Sequence, residues 1–172
     1  VEEDGRLYDP KLREMFIERI FVFLRWRDQA AGARRAGDLL HFHARHKLLV
    51  MSHSPEIYRR LGRLAANAEG LDLETLKTEY FKLLSQAMAV KTTVKKNVNV
   101  LQHMIGYFKK ALSADEKQEF LSLLDQYADG LTPLIVPITL INHYVRKYDQ
   151  PYLKEQVYLR PHPVELKLRN HA

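Results

Sequence analysis

The chain has 172 residues, 46% apolar and 28% charged, enough for one globular domain with a buried core. It contains no cysteine, which excludes disulfides, thiolate nucleophiles and any iron–sulfur cluster held by this chain alone. The longest uncharged stretches span 12 and 15 residues, short of the ~20 that a membrane-spanning helix needs. The first residues are acidic and polar, unlike a signal peptide, and the chain begins with Val rather than Met. We therefore expect a cytoplasmic fragment or processed product with no membrane partner.

Helical periodicity recurs along the chain, and the signals of strands and hairpins are absent. Capping and breaking residues indicate where the predicted helices begin and end. In chain order, the first helix begins at residue 10, the second spans about 38–49, the third 55–66, and the fourth begins after residue 72. The fifth spans about 92–112, the sixth 114–129, the seventh begins at residue 133, and a short eighth begins at residue 151. The stretch 29–37, with two glycines, is expected to be a loop or hinge. The sequence thus predicts an all-α fold, a single multi-helix bundle-like domain of about seven or eight helices.

The net positive charge of the chain is confined to one segment. Between Tyr80 and Ala114 there is no Asp or Glu, whereas six lysines occur there and supply the whole net charge of +6. A basic segment of this kind is typical of a protein that binds a polyanion. The alternative is a solvated helix face on which lysines serve solubility.

The predicted fifth helix lies within this segment and carries a polar face without carboxylates. Opposite its apolar stripe are Lys96, Asn99, His103, Tyr107 and Lys110, flanked by Lys95, Gln102, Gly106 and Lys109. Cations can contact phosphates, amides can read base edges, and a phenol ring can stack on an exposed base. We therefore predict a nucleic-acid-binding face, in which the glycine allows close approach of a backbone or, equally, close helix packing.

A histidine-rich run follows the predicted start of the second helix. Its basic residues, with those of the next helix, predict a cationic contact surface that comprises Arg45, His46, Lys47, Arg59, Arg60 and Arg63. The alternative is a metal-assisted or acid–base enzyme that uses His43, His46, His53 and His103, although no metal-ligand spacing motif is present. A third possibility is a protein-interaction bundle that docks an acidic partner. The histidines can also be ordinary surface residues.

The predicted seventh helix is apolar nearly all round but carries Thr139, His143 and Arg146 on one stripe. Because buried polar groups need partners, these three side chains indicate either an internal hydrogen-bond network, which we expect, or the floor of a pocket.

Several motifs in order resemble the YbgA-like domain of unknown function. They are Phe42-His43-Ala44-Arg45-His46-Lys47-Leu48-Leu49-Val50-Met51-Ser52-His53-Ser54-Pro55, the run from Asn97 to Lys109, Leu134-Ile135-Val136-Pro137, Glu155-Gln156-Val157-Tyr158-Leu159 and Leu168-Arg169-Asn170-His171. The similarity covers roughly residues 38–172, and residues 1–28 resemble the connector to an upstream desulfidase domain of the thiouracil type. We accordingly expect residues 1–37 to be a connector with the first helix, and residues 38–172 to be the YbgA-like domain.

The resemblance implies that such a domain holds tRNA for a fused or associated desulfidase that acts on thiolated uridine. The iron–sulfur cluster of that chemistry belongs to the desulfidase, so no cofactor, metal ligand or catalytic residue is expected in this chain. We predict an accessory domain that is not itself an enzyme. Its expected nucleic-acid contacts are Arg45, His46, Lys47, His53, Arg59, Arg60, Lys91, Lys95, Lys96, Asn99, Gln102, His103, Tyr107, Lys109 and Lys110.

Overall fold

The structure is a computed structural model and describes residues 8–163, 166, 168 and 169. Over these residues it contains α-helices and no β-strand, which confirms the predicted all-α multi-helix fold. The helices of the described residues are α1 Pro10–Trp26, α2 Ala36–His53, α3 Pro55–Ala66, α4 Leu73–Ala89, α5 Val94–Ile105, α6 Ala114–Ala128, α7 Ile135–Lys147 and α8 Pro151–Lys154. No helix in this part of the chain is long and apolar enough to cross a membrane.

The described residues divide into two compact units. The first unit takes its residues from Val1–Glu14, Thr93–Glu155 and Pro163–Ala172, and the second from Met15–Thr92 and Gln156–His162. Helix α1 contributes its beginning to the first unit and most of its length to the second. The boundary expected between residues 37 and 38 stays a prediction.

The second unit has an aromatic core at the end of α1. Trp26 stacks on Tyr80 of α4, with ring centroids 5.5 Å apart, and meets Phe42 of α2 edge-on at 5.4 Å. All three side chains are buried. Burying aromatic rings of this size removes much apolar surface from water and contributes strongly to the stability of such a core.

Side-chain caps fix the helix boundaries of the second unit where the sequence predicts them. Ser54 Oγ accepts a hydrogen bond from the backbone N–H of Ile57 at 3.2 Å, and Pro55 occupies the first turn of α3. Asp72 Oδ1 accepts from the N–H groups of Glu74 and Thr75 at the start of α4. Such caps satisfy N–H groups that have no partner inside the helix.

Two boundaries in the second unit differ from the prediction. Helix α2 continues to His53 instead of ending near Leu49, because no breaker intervenes before Ser54. The expected loop at 29–37 is partly helical, since Arg27–Ala31 form one π-helical turn after α1.

In the first unit, Glu116 joins the start of α6 to the end of α7. Its carboxylate accepts hydrogen bonds from the backbone N–H of Ser113 at 2.9 Å, from Lys147 Nζ at 2.7 Å and from the Tyr148 hydroxyl at 2.6 Å. Ser113 Oγ in turn accepts from the Glu116 N–H, which completes the predicted capping box. Hydrogen bonding, first from Lys147 and then from Tyr148, lowers the pKa of Glu116 to about 2.

The polar stripe of α7 does not form the internal network that we expected. Thr139, His143 and Arg146 are all exposed, and the Thr139 hydroxyl donates to the carbonyl of Ile135 in its own helix at 2.7 Å. The buried side of α7 instead consists of apolar and aromatic residues: Pro137, Ile138, Ile141, Tyr144 and Val145. The prediction was wrong because a helix that is apolar over most of its surface can still leave one narrow stripe in solvent.

Helix α5 is shorter than the sequence predicts. It ends at Ile105, and Gly106–Phe108 form a 3₁₀ turn rather than two further turns of α-helix. The side chain of Phe108 is buried, and its ring centroid lies 6.1 Å from that of Tyr144 on α7. Burial of this ring favours the tighter turn, because packing in the first unit outweighs local helical periodicity.

Candidate nucleic-acid interface

The exposed face of α5 carries four of the predicted contact residues. Lys95, Asn99, Gln102 and His103 are all exposed. They share one side of the helix because residues three and four apart are neighbours. The face therefore presents one cation, two amides and one imidazole to solvent, with no carboxylate of its own helix beside them.

The opposite side of α5 anchors this face to the first unit. Asn97 is buried and donates through Nδ2 to the hydroxyl of Tyr127 on α6 at 3.1 Å. Val100, Leu101 and Met104 are fully buried beside it. Lys96 lies at the border between the two sides, and burial lowers the pKa of this lysine. Packing on one side thus fixes the orientation of the exposed polar side.

An aromatic pair follows the end of α5. The Tyr107 ring stacks on that of Tyr152 from α8, with centroids 4.9 Å apart and an interplanar angle of 25°. His103 meets Tyr107 edge-on at 5.8 Å. Because 39% of Tyr107 remains exposed, a ring surface is available next to the polar face of α5. Such a ring could stack on an unpaired base.

Lys109 and Lys110 are the last two residues of the candidate interface in the first unit. Both are exposed and lie in the turn between Phe108 and α6 rather than on α5 itself. Gly106 is exposed as well, and a Cβ built on it would meet nothing within 4 Å. Close helix packing therefore does not explain this glycine. We refer to Lys95, Asn99, Gln102, His103, Tyr107, Lys109 and Lys110 as the α5 surface.

In the second unit, some of the predicted nucleic-acid contact residues are exposed and others are half-buried. Arg59 and Arg60 are exposed on α3, and Lys91 is exposed beyond the end of α4. Arg45 and Lys47 are half-buried on α2. The first three can reach a ligand on the surface of this unit, whereas the last two are restricted by the packing of α2.

Two predicted contacts, His46 and His53, are fully buried in the second unit. His46 Nδ1 donates to the Phe42 carbonyl at 2.8 Å. His53 Nδ1 donates to the Val90 carbonyl at 2.8 Å, and its Nε2 lies 2.8 Å from Glu18 Oε2. Neither imidazole can touch a nucleic acid on the surface in this arrangement, so we leave both out of the interface.

The histidines do not assemble into a metal centre in the described part of the chain. Among those residues, no three His, Asp or Glu side chains lie close enough together to hold a metal ion. His43 is bound instead through Nδ1 to the Tyr80 hydroxyl at 3.1 Å. Burial, and secondarily the charge of Lys47, lowers the pKa of His43 to about 4, so this imidazole is neutral at physiological pH.

The sequence did not predict that residues of α1 and α4 are the partners of the histidines of α2. Glu18 of α1 and Tyr80 of α4 contact histidines of α2, and the charge of Arg25 on α1 lowers the pKa of His46. One signal was available for Glu18, because it shares a helical face with Val22 and Trp26, both of which are buried. An acidic residue on such a face requires an interior partner.

The comparisons with known proteins agree on the family of the chain. Residues 47–163 match the model of a family described as protein of unknown function (DUF1722). The uncharacterized protein YbgA of Escherichia coli (strain K12) is 31% identical over 135 residues, which cover 78% of this chain and 80% of that protein. No solved structure matches the chain. The predicted resemblance to the YbgA-like domain is thereby confirmed, and the chain belongs to the DUF1722 family of proteins of unknown function.

Proposed function

We propose that this chain is an accessory domain that binds tRNA in the cytoplasm and presents it to a fused or associated desulfidase acting on thiolated uridine. The observation that supports the proposal is the α5 surface, where lysines, amides and exposed rings occur together without a carboxylate in the same segment. Each of these side chains matches a part of RNA: phosphate, base edge and base face.

The three lysines of the α5 surface supply the electrostatic part of the binding. Lys95, Lys109 and Lys110 are exposed, so their ammonium groups keep their water until they meet a phosphate. Contacts of this kind release condensed counterions from the nucleic acid, which provides affinity without reading sequence. Exposed Arg59, Arg60 and Lys91 of the second unit can add to the same long-range attraction.

Tyr107 and Asn99 supply the part that favours single-stranded RNA. A tyrosine ring stacks on any unpaired base, and an asparagine amide can hydrogen-bond to a base edge. Stacking on Tyr152 holds the Tyr107 ring in one orientation, which reduces the entropy lost when a base is bound. Loops of tRNA offer unpaired bases next to a dense phosphate backbone, as this arrangement requires.

The proposal that a desulfidase partner carries out the chemistry is consistent with the absence of cysteine from this chain. Removal of sulfur through an iron–sulfur cluster requires cysteine ligands, and this chain has none. In the proposal, the partner therefore supplies the cluster and the chemistry, while this chain supplies RNA affinity.

Two matched double variants test the proposal. Lys95→Ala/Lys109→Ala removes two charges from the α5 surface, whereas Lys11→Ala/Lys117→Ala removes two exposed charges elsewhere in the first unit. We expect the first variant to bind tRNA at least about tenfold more weakly in fluorescence anisotropy, and the control to bind within about twofold of the wild type. Thermal unfolding of both variants should remain close to that of the wild type.

The same assay distinguishes tRNA from other polyanions. Heparin and duplex DNA serve as competitors of equal charge concentration. Stronger competition by unlabelled tRNA than by either polyanion supports the proposal. Equal loss of affinity in the two double variants, or wild-type affinity in the α5 variant, would contradict it.

A further inference from the structure

On helices α1 and α2 of the second unit, three nitrogen atoms of basic side chains are buried without a hydrogen-bond partner. They are Arg25 Nη1 on α1, and Arg45 Nε and His46 Nε2 on α2; none finds a partner among the residues that the structure describes. Polar atoms in such positions are rare, because each one that stays unpaired destabilises the folded state. The three atoms therefore indicate a missing ligand rather than a satisfied interior.

Neighbouring contacts bring these side chains to one place. Helices α1 and α2 run antiparallel, since Glu18 pairs with His53 near one end and Trp26 packs on Phe42 near the other. Arg25 precedes that tryptophan by one residue, and His46 lies one helical turn beyond the phenylalanine, stacked on its ring at 3.8 Å. The register of the two helices thus places Arg25 against the turn of α2 that carries both other residues.

The titration of the buried imidazole agrees with this register. The pKa of His46 is lowered to about 3, mainly by burial and also by the positive charges of Arg25 and Arg45, while the hydrogen bond to Phe42 opposes the shift. The pKa of Arg25 is lowered as well, first by burial and then by Arg45, and Glu18 opposes this only in part. Charges affect one another in this way only over short distances.

The three atoms form a pattern of two donors and one acceptor. The guanidinium nitrogens can only donate. His46 already donates through Nδ1 to the Phe42 carbonyl at 2.8 Å, so in the neutral ring Nε2 carries the free lone pair. A ligand for this site must therefore accept two hydrogen bonds and donate one.

The cluster also carries more positive than negative charge. Glu18 is the carboxylate that acts on Arg25, and its Oε2 is already bound to His53 Nε2 at 2.8 Å. The positive charges of Arg25 and Arg45 therefore oppose each other, and Glu18 offsets this only in part. An anion bound between them would neutralise this repulsion.

We propose that Arg25, Arg45 and His46 form a binding site for a phosphate group that carries a proton, as inorganic phosphate or a phosphate monoester does near neutral pH. Its charged oxygens accept from Arg25 Nη1 and Arg45 Nε, and its P–OH donates to His46 Nε2. Sulfate and phosphodiesters have no proton to donate, so the site rejects them. Both arginine side chains are partly exposed, so their movement would open a route for the phosphate to the three buried atoms.

This site is separate from the α5 surface and uses none of its residues. Failure of phosphate binding would leave the tRNA proposal unaffected, and the reverse also holds. Free phosphate and a terminal phosphate on a nucleotide present the same chemistry, and the test below separates these two sources.

Isothermal calorimetry on the whole chain, at about pH 6.5 and constant ionic strength, measures the affinities. Phosphate monoesters lose their second proton near pH 6, so the protonated form is present there. We expect inorganic phosphate to bind at least about tenfold more tightly than sulfate. Tighter binding of adenosine 5′-monophosphate than of phosphate identifies a terminal phosphate as the source, and the opposite order identifies the free anion. Equal affinity for phosphate and sulfate, or no binding of either phosphate probe, overturns the proposal.

Matched arginine variants locate the binding. Arg25→Gln and Arg45→Gln each remove one charged donor and should weaken phosphate binding by about tenfold or more. Arg34→Gln makes the same change at an exposed arginine of the same unit and should bind phosphate like the wild type. The two cluster variants are judged only after circular dichroism shows native helix content, and each provides a test if the other misfolds. Wild-type phosphate affinity in a folded cluster variant would overturn the assignment.

Discussion

Glu18 and His53 form a fully buried pair whose hydrogen bonds require a shared proton. His53 Nε2 lies 2.8 Å from Glu18 Oε2, with 0% of the imidazole and 3% of the carboxyl side chain exposed. Because the Val90 carbonyl can only accept, the 2.8 Å contact with His53 Nδ1 places a hydrogen on that nitrogen. The contact to Glu18 then needs a second proton on Nε2 or Oε2. The pair is neutral overall in either case.

Removing one member of this pair should destabilise the fold. We expect Glu18→Ala to lower the free energy of unfolding by about 3–5 kcal/mol, because His53 loses its buried partner. Glu18→Gln should cost less, since its amide can still donate to the neutral imidazole. Glu56→Ala, an exposed glutamate in the same unit, should stay within about 0.5 kcal/mol of the wild type. Urea unfolding measures all three, and equal values for Glu18→Ala and Glu56→Ala would contradict the buried pair.

The neutral imidazoles of His43 and His46 predict a loss of stability in mild acid. Burial lowers their pKa values to about 4 and about 3. Below about pH 6.5 the unfolded chain takes up protons at these positions while the folded chain does not. The contribution of each histidine to the free energy of unfolding is therefore fully present above that pH. It falls by up to about 1.4 kcal/mol per pH unit as the pH decreases towards 4 for His43 and towards 3 for His46.

The variant His43→Gln isolates one of these contributions, because an amide can still accept from the Tyr80 hydroxyl. Its free energy of unfolding, measured in phosphate-free buffers between about pH 6 and pH 4.5, should fall less steeply than that of the wild type by about 1 kcal/mol per pH unit. An unchanged slope would show that His43 titrates normally in the folded chain.

Glu116 predicts a second, more acidic transition. Its folded pKa of about 2 lies below the ordinary value near 4.3, so its contribution to stability is present above about pH 4.3 and is lost as the pH falls towards 2. Glu116→Gln should melt below the wild type at pH 7, and the difference in Tm should shrink through this interval. Glu119→Gln, an exposed glutamate of α6, is the control and should show no such convergence. A constant difference in Tm would contradict the role of the hydrogen bonds from Lys147 and Tyr148.

Tyr107 separates base stacking from charge in the proposed RNA contact. Tyr107→Ala should weaken tRNA binding by about 1–3 kcal/mol and leave the salt dependence unchanged, because no cation is removed. Tyr107→Phe keeps the ring that packs on Tyr152 and should bind like the wild type. Anisotropy titrations at several salt concentrations measure both effects. Equal losses for the two variants would assign the contribution to the hydroxyl rather than to the ring.

Local signals predicted the helix starts well, since caps act within a few residues. Ser54, Asp72 and Ser113 each cap the helix that follows, as the sequence indicates. The end of α5 was not predictable in this way. It depends on Phe108, whose ring packs near Tyr144, 36 residues later in the chain. Helical periodicity contains no information about such a contact.

The candidate site, too, could be predicted from local sequence signals only in part. Exposure of Asn99 and His103 follows from their position opposite the apolar stripe, and the structure agrees with it. The burial of His46 and His53 could not be read from their neighbours in sequence. It depends on α1, whose Glu18 lies 35 residues before its histidine partner.

The salt dependence of tRNA binding by the wild-type chain tests the central claim most directly. If the exposed lysines of the α5 surface contact phosphates, the logarithm of the association constant should fall linearly with the logarithm of salt concentration. With three lysines engaged, we expect a slope of about −2 to −3 or steeper. The Lys95→Ala/Lys109→Ala variant should reduce the magnitude of that slope by about two, because two phosphate contacts are lost. Binding that is unchanged between low and physiological salt, or no binding at low salt, would contradict the account.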